Sequence, residues 1–128
     1  MKKRKRIVAL GLAISIVLGI GSVAVFAASS ATGSINGYTT KGVSSIGQKS
    51  ASAYTSYGTS GQVSVNSKYS YVNTDTLSTG IKSQNNGHYN YAQVNFTAPT
   101  NCHSVKIESS HTVSASNQTW TAKTSKVY

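Results

Sequence analysis

An all-β fold, a small antiparallel β-sandwich of five to seven short strands, is what the amino-acid sequence predicts, and three observations carry that expectation. The first is composition. The 101 residues after Ala27 hold 20 Ser, 14 Thr and 8 Tyr, but one Leu, one Glu and no Met or Arg; strong helix formers are scarce, while Thr, Tyr and Val favour strands. The second is alternation of apolar and polar residues with a period of two. The third is punctuation by Gly, Asn and Pro between the alternating runs, at the spacing of short strands.

The first 27 residues stand apart. Met1 to Arg6 carries five of the twelve basic residues, an apolar run begins at Ile7, and small residues close it at Val25-Phe26-Ala27. A cationic start, an apolar middle and a small-residue end make an export signal cleaved after Ala27. The leader resembles a Gram-positive export signal, and secretion is the expected localisation. An uncleaved membrane anchor is the rival, since about twenty helical residues at ~1.5 Å each span a bilayer core, but Gly19, Gly21 and Ser22 weaken that helix. After cleavage the formal charge falls from +10 to +5, from seven Lys against Asp75 and Glu108.

Residues 28–48, rich in Gly and Asn, are expected to form a flexible arm or an edge strand, leaving the β-sandwich to residues 49–128. Lys49 to Tyr57 reads as one strand. The clearest strand places Val63, Val65, Ser67, Tyr69 and Tyr71 on one face and Gln62, Ser64, Asn66, Lys68 and Ser70 on the other. Asn73 to Ser83 suits a short strand or one helical turn, and Asn86-Gly87 suits a tight turn. A second row, Ala92, Val94, Phe96 and Ala98, ends at Pro99 as proline placement requires. Tyr89 and Tyr91 just before it have the opposite parity, which implies either a bulge near Tyr91 or an outward position. Val105, Ile107, Ser109, His111, Val113 and Ala115 form a third row with a candidate bend at Ser109-Ser110, and Trp120, Ala122, Thr124, Lys126 and Tyr128 a weaker last one. Ile, Leu, Val and Phe together number 14 of the 101 residues, below the ~20% at which disorder becomes a serious reading. Tyr69, Tyr71 and Trp120 are therefore expected to complete an aliphatic-poor core.

Chemistry finds little to work with. Cys102 is single, so no intramolecular disulfide forms, and a small buried thiol is expected. His103 follows it directly and points to the other face, which denies Cys102 a base. His88, His103, His111 and Cys102 show no ligand-pair spacing; His103 and His111 are eight residues apart, about 26 Å along a strand. Asp75 and Glu108 are the sole carboxylates of the exported part, and Glu108 is expected to pair with Lys106 on a solvent face. No Gly-x-Ser-x-Gly turn occurs. No catalytic, metal or cofactor site is expected, and the chain is read as non-enzymatic.

Binding fits the composition better. Tyrosines among hydroxyls and amides combine stacking surfaces with hydrogen-bonding groups, a chemistry suited to sugars, peptidoglycan or another protein. Tyr54, Tyr57, Tyr89 and Tyr91 are the candidate contact surface. Scattered lysines without arginine argue against nucleic acid and favour an anionic wall polymer or another envelope component. Membrane contact is expected only through the leader before cleavage. The leader, the composition and the stretch Ser109-Ser110-His111-Thr112-Val113 followed by Trp120-Thr121-Ala122 together resemble the lactococcin-type bacteriocins. That resemblance implies a secreted β-sandwich that interferes with wall assembly. A matrix protein assembling through exposed strand edges is the remaining expectation.

Overall fold

The protein's structure, a computed structural model, describes residues 29–128; the expected export signal over residues 1–27 and its cleavage at Ala27 lie outside them. Among the described residues there are eight strands: β1 (Ser30–Ile35), β2 (Tyr38–Gly47), β3 (Ser50–Tyr57), β4 (Gln62–Asn73), β5 (Thr79–Tyr89), β6 (Tyr91–Thr97), β7 (Cys102–Ala115) and β8 (Gln118–Val127). They build two antiparallel sheets, ordered β1-β2-β3-β6 and β5-β4-β7-β8. The inner faces of the two sheets share one hydrophobic cluster.

The fold is thus all-β, with eight strands where five to seven were expected, and the additions have physical causes. Residues 30–47 form a hairpin: Asn36 and Gly37 both take positive φ (51° and 83°), the geometry of a two-residue turn that matches strand twist. β1 is an edge strand, but β2 lies inside its sheet, hydrogen-bonded on both sides. The second addition is β5. Asn86-Gly87, expected as a turn, lies in regular pairing with Val65 and Ser64 inside this strand. The chain instead turns at Asn73–Ser78, where Asn73 Oδ1 accepts the amide hydrogens of Asp75 and Thr76, and crosses between sheets at Asn90, whose φ is 66°. No side chain of β5 is fully buried, so it lacks the apolar alternation by which a strand is recognised.

The irregularity of β7 is at Val105 rather than at Ser109-Ser110. Ser70 pairs with Lys106 while Tyr71 pairs with Ser104, so Val105 is the extra residue of a bulge and is turned outward. From Ile107 to Val113 the expected inward row is observed. Tyr69 and Trp120 are fully buried, as expected, while Tyr71 is half-buried over Gly80.

The core replaces missing aliphatic bulk in two ways. Across much of the first sheet the inner face is small (Ala31, Gly33, Gly42, Ala51, Ala53, Ala92), and rings from the second sheet fill the space. Trp120 lies over Gly33, His111 over Gly42, and Tyr69 stacks on Phe96 with ring centroids 5.1 Å apart. The second device is a buried chain of hydroxyls through His111. Thr55 Oγ1 donates to the Ser64 carbonyl (2.8 Å), so it accepts from Nδ1–H of His111, 2.8 Å away. The other ring nitrogen, Nε2, is hydrogen-bonded to Thr124 Oγ1 (2.8 Å). Thr124 Oγ1 is 2.6 Å from Ser44 Oγ, which also bonds Ser109 Oγ at 2.8 Å; Ser109 in turn bonds Ser67 at 2.7 Å. Each such bond adds about 1 kcal/mol net, but leaving one partner unsatisfied costs about 1–3. Thr40 Oγ1 and Trp120 Nε1, both close to Gly33, are buried without a partner.

One flank is closed by side chains. On β5, Lys82 Nζ, Gln84 Nε2 and Asn86 Nδ2 donate to the carbonyls of Thr97 (2.9 Å), Asn95 (2.7 Å) and Gln93 (3.0 Å). These carbonyls lie along the outer edge of β6, which pairs only with β3. The three rungs occupy acceptors that another strand would otherwise use. Replacing Gln84 and Asn86 together by Ala is expected to cost about 2 kcal/mol and to make self-association concentration-dependent. Urea midpoints and sedimentation check this; a double variant as stable and as monomeric as the parent would show that the rungs do not protect the edge.

Candidate functional site

Strand parity builds the site. The residues of β4 that point away from the core, Gln62 to Ser70, share the outer face of the second sheet with Gly87 and Tyr89 of β5 and with Thr112 and Ser114 of β7. Because Gly87 places no side chain on that face, a hollow of about 390 Å³ opens there, bordered by Gln62, Ser64, Tyr89, Thr112 and Ser114. Tyr89 stands at its margin with 63% of its surface exposed. The hollow therefore has one aromatic wall, three hydroxyls and an amide. His88 also lines it, so the hollow presents stacking, hydrogen bonding and one imidazole, with no carboxylate, lysine or thiol in its lining.

The other expected contact tyrosines go elsewhere. Tyr54 and Tyr91 are brought together on the outer face of the first sheet, stacked with centroids 5.2 Å apart and planes 27° apart. Tyr91 Oη donates to Gln93 Oε1 (2.7 Å), and Gln93 Nε2 to Asn95 Oδ1 (2.9 Å). Each ring of this pair has one face covered by the other. Tyr57, expected at the surface, is buried: it shares parity with Ala51, Ala53 and Thr55, lies over Gly61, and its hydroxyl donates to the Ile35 carbonyl. Tyr89 and Tyr91, two residues apart, face opposite sides of the molecule because the chain changes sheet at Asn90. No bulge near Tyr91 is needed to explain their parity.

The titratable groups are dispersed. Glu108 pairs with Lys106 at 3.2 Å, both nearly half exposed, a contact worth about 0–1 kcal/mol. Asp75 sits in the β4–β5 turn. Lys68, directly opposite Glu108, is five residues from the end of β4, which places the carboxylates more than about 15 Å apart. Cys102 is buried at the start of β7. His88 is exposed, His103 is half-buried, and burial lowers the His111 pKa to about 4. Among the described residues no three His, Cys, Asp or Glu converge. The residue that sequence reasoning misassigned is Gly87, since Asn-Gly reads as a turn; the facing row Gln62, Ser64, Asn66 was visible in the alternation of β4.

Compared with family models, curated proteins and solved structures, the chain matches none.

Proposed function

We propose that this chain is a secreted, non-enzymatic binding protein acting at the bacterial envelope or outside the cell, and that its ligand is a glycan. The observation that carries this reading is the hollow over Gly87: an exposed tyrosine ring beside hydroxyl and amide groups is the combination a sugar ring engages, with C–H bonds against the aromatic face and hydroxyls against polar groups. The hollow is open to solvent rather than enclosed, which suits a polymer better than a small buried ligand. Among the described residues no helix is long and apolar enough to cross a membrane.

The test is co-sedimentation of purified protein, expressed from the full chain, with insoluble wall glycan. Binding is expected, with about a tenfold weaker Kd in Tyr89→Ala, equivalent to ~1.4 kcal/mol. Gly87→Ala is expected to weaken binding without unfolding the protein, since the added Cβ would meet only the Val63 carbonyl at 3.7 Å and Ser64 Cβ at 3.9 Å. Protein that stays in the supernatant at low salt, or a Tyr89→Ala variant that sediments like the parent, removes the proposal.

A further inference from the structure

The face that carries the Gly87 hollow continues toward the other end of the second sheet, where its chemistry changes. There a second hollow of about 320 Å³ lies among Asn66, Lys68, Glu108, Ser110 and Lys123. The register places Asn66, Ser110 and Lys123 in one row across β4, β7 and β8, with Lys68 and Glu108 in the next. Glu108 is committed to Lys106, and among the described residues neither Lys68 nor Lys123 has a carboxylate partner. Three lysines against one carboxylate leave this end of the face with two uncompensated positive charges, while the Tyr89 end has none.

Lys68 and Lys123 occupy diagonal corners two strands and two residues apart, about 12 Å between their Cβ atoms at standard sheet spacings; Ser110 and Glu108 of β7 lie between them, with Glu108 paired to Lys106 on the side away from Ser110, and Asn66 flanks Ser110 on β4. Compact ammonium groups beside neutral donors suit a tetrahedral oxyanion seated over Ser110, which takes charge from Lys68 and Lys123 and hydrogen bonds from Ser110 and Asn66, while Glu108 is held by Lys106. Gln62, on the border of the first hollow, is six residues from Lys68 along β4, about 20 Å, so one extended polymer reaches both hollows.

We propose that the ligand is a glycopolymer linked through phosphodiesters, with a sugar against Tyr89 over Gly87 and a phosphate between Lys68 and Lys123. This rests on the glycan-binding reading above and narrows it to an anionic polymer. The experiment measures binding of protein from the full chain to four probes over a salt series: glucosylated polyglycerol phosphate, neutral glucan, polygalacturonate and phosphatidylglycerol vesicles. The phosphate polymer is expected to bind tightest and to weaken with salt. Lys68→Gln/Lys123→Gln should lose about tenfold on that polymer and flatten its salt dependence, while binding neutral glucan like the parent. Tyr89→Ala should lose affinity for both. Equal binding of glucan and phosphate polymer, unchanged by the lysine variant, overturns the inference and leaves glycan binding standing. Preference for polygalacturonate or vesicles overturns the phosphodiester assignment. Binding to none of the probes overturns both readings.

Discussion

Acidification from pH 7 to pH 4 is expected to remove about 3 kcal/mol of folding stability through His111 alone. The ring is buried and neutral, held at both nitrogens by Thr55 and Thr124, and burial lowers its pKa from 6.5 to about 4. A histidine with a depressed pKa in the fold binds its proton more readily in the unfolded chain. The penalty is therefore absent above pH 6.5, grows as the pH falls toward 4, and levels off below; a 2.5-unit difference corresponds to about 3 kcal/mol. Urea denaturation at half-unit pH intervals reads the effect, with a slope approaching one proton taken up on unfolding. A free energy that is level between pH 6.5 and 4.5 would contradict a neutral His111 in the core.

Gly42→Ala is expected to destabilise the protein by about 3 kcal/mol, although alanine is normally tolerated in a strand at least as well as glycine. A Cβ at Gly42 would run into the His111 ring, with Cδ2 at 2.6 Å and Nδ1 at 2.7 Å. The ring cannot swing away without breaking a hydrogen bond at one nitrogen or the other, so the strain falls on the backbone of β2 or on the polar chain. The same substitution made in His111→Ala should cost far less, because the colliding atoms are gone, and the two changes should be strongly non-additive. Denaturation midpoints of the two single variants and the double variant decide the matter; additive losses would show that Gly42 and His111 are not in steric contact.

Why some of this was legible in the sequence and some was not comes down to which residues fill the core. Where inward positions held Val, Phe or Trp, as in β4 and β6 and at Trp120, alternation located the strand and its buried face. Where the inward residues were Ala, Thr and Gly, as in β2 and β3, the pattern lost contrast. Tyr57 consequently read as a surface residue although its parity is that of Ala51 and Ala53. β5 gave no contrast at all, because its inward-pointing residues, Lys82, Gln84 and Asn86, reach past the core to the β6 backbone. The Asn-Gly pair in β5 read as a hairpin signal, yet the hairpin forms at Asn36-Gly37, where the flanking residues pair in register. Of the candidate site, Tyr89 and the polar row of β4 could be read from parity, whereas the hollow depends on β5 lying beside β4, a long-range fact that no local pattern contains.

The flank between β5 and β6 also bears on how the chain finds this arrangement. Its three rungs join residues 15, 11 and 7 positions apart, whereas the hydroxyl contacts that cross from sheet to sheet in the core join residues up to 80 apart. Closing a short loop costs less chain entropy than closing a long one. The arch around Asn90 can therefore hold strands of the two sheets together before either sheet is complete, giving β4 and β3 a frame on which to add and leaving the meeting of β1 with β8, the contact most remote along the chain, to the end of folding.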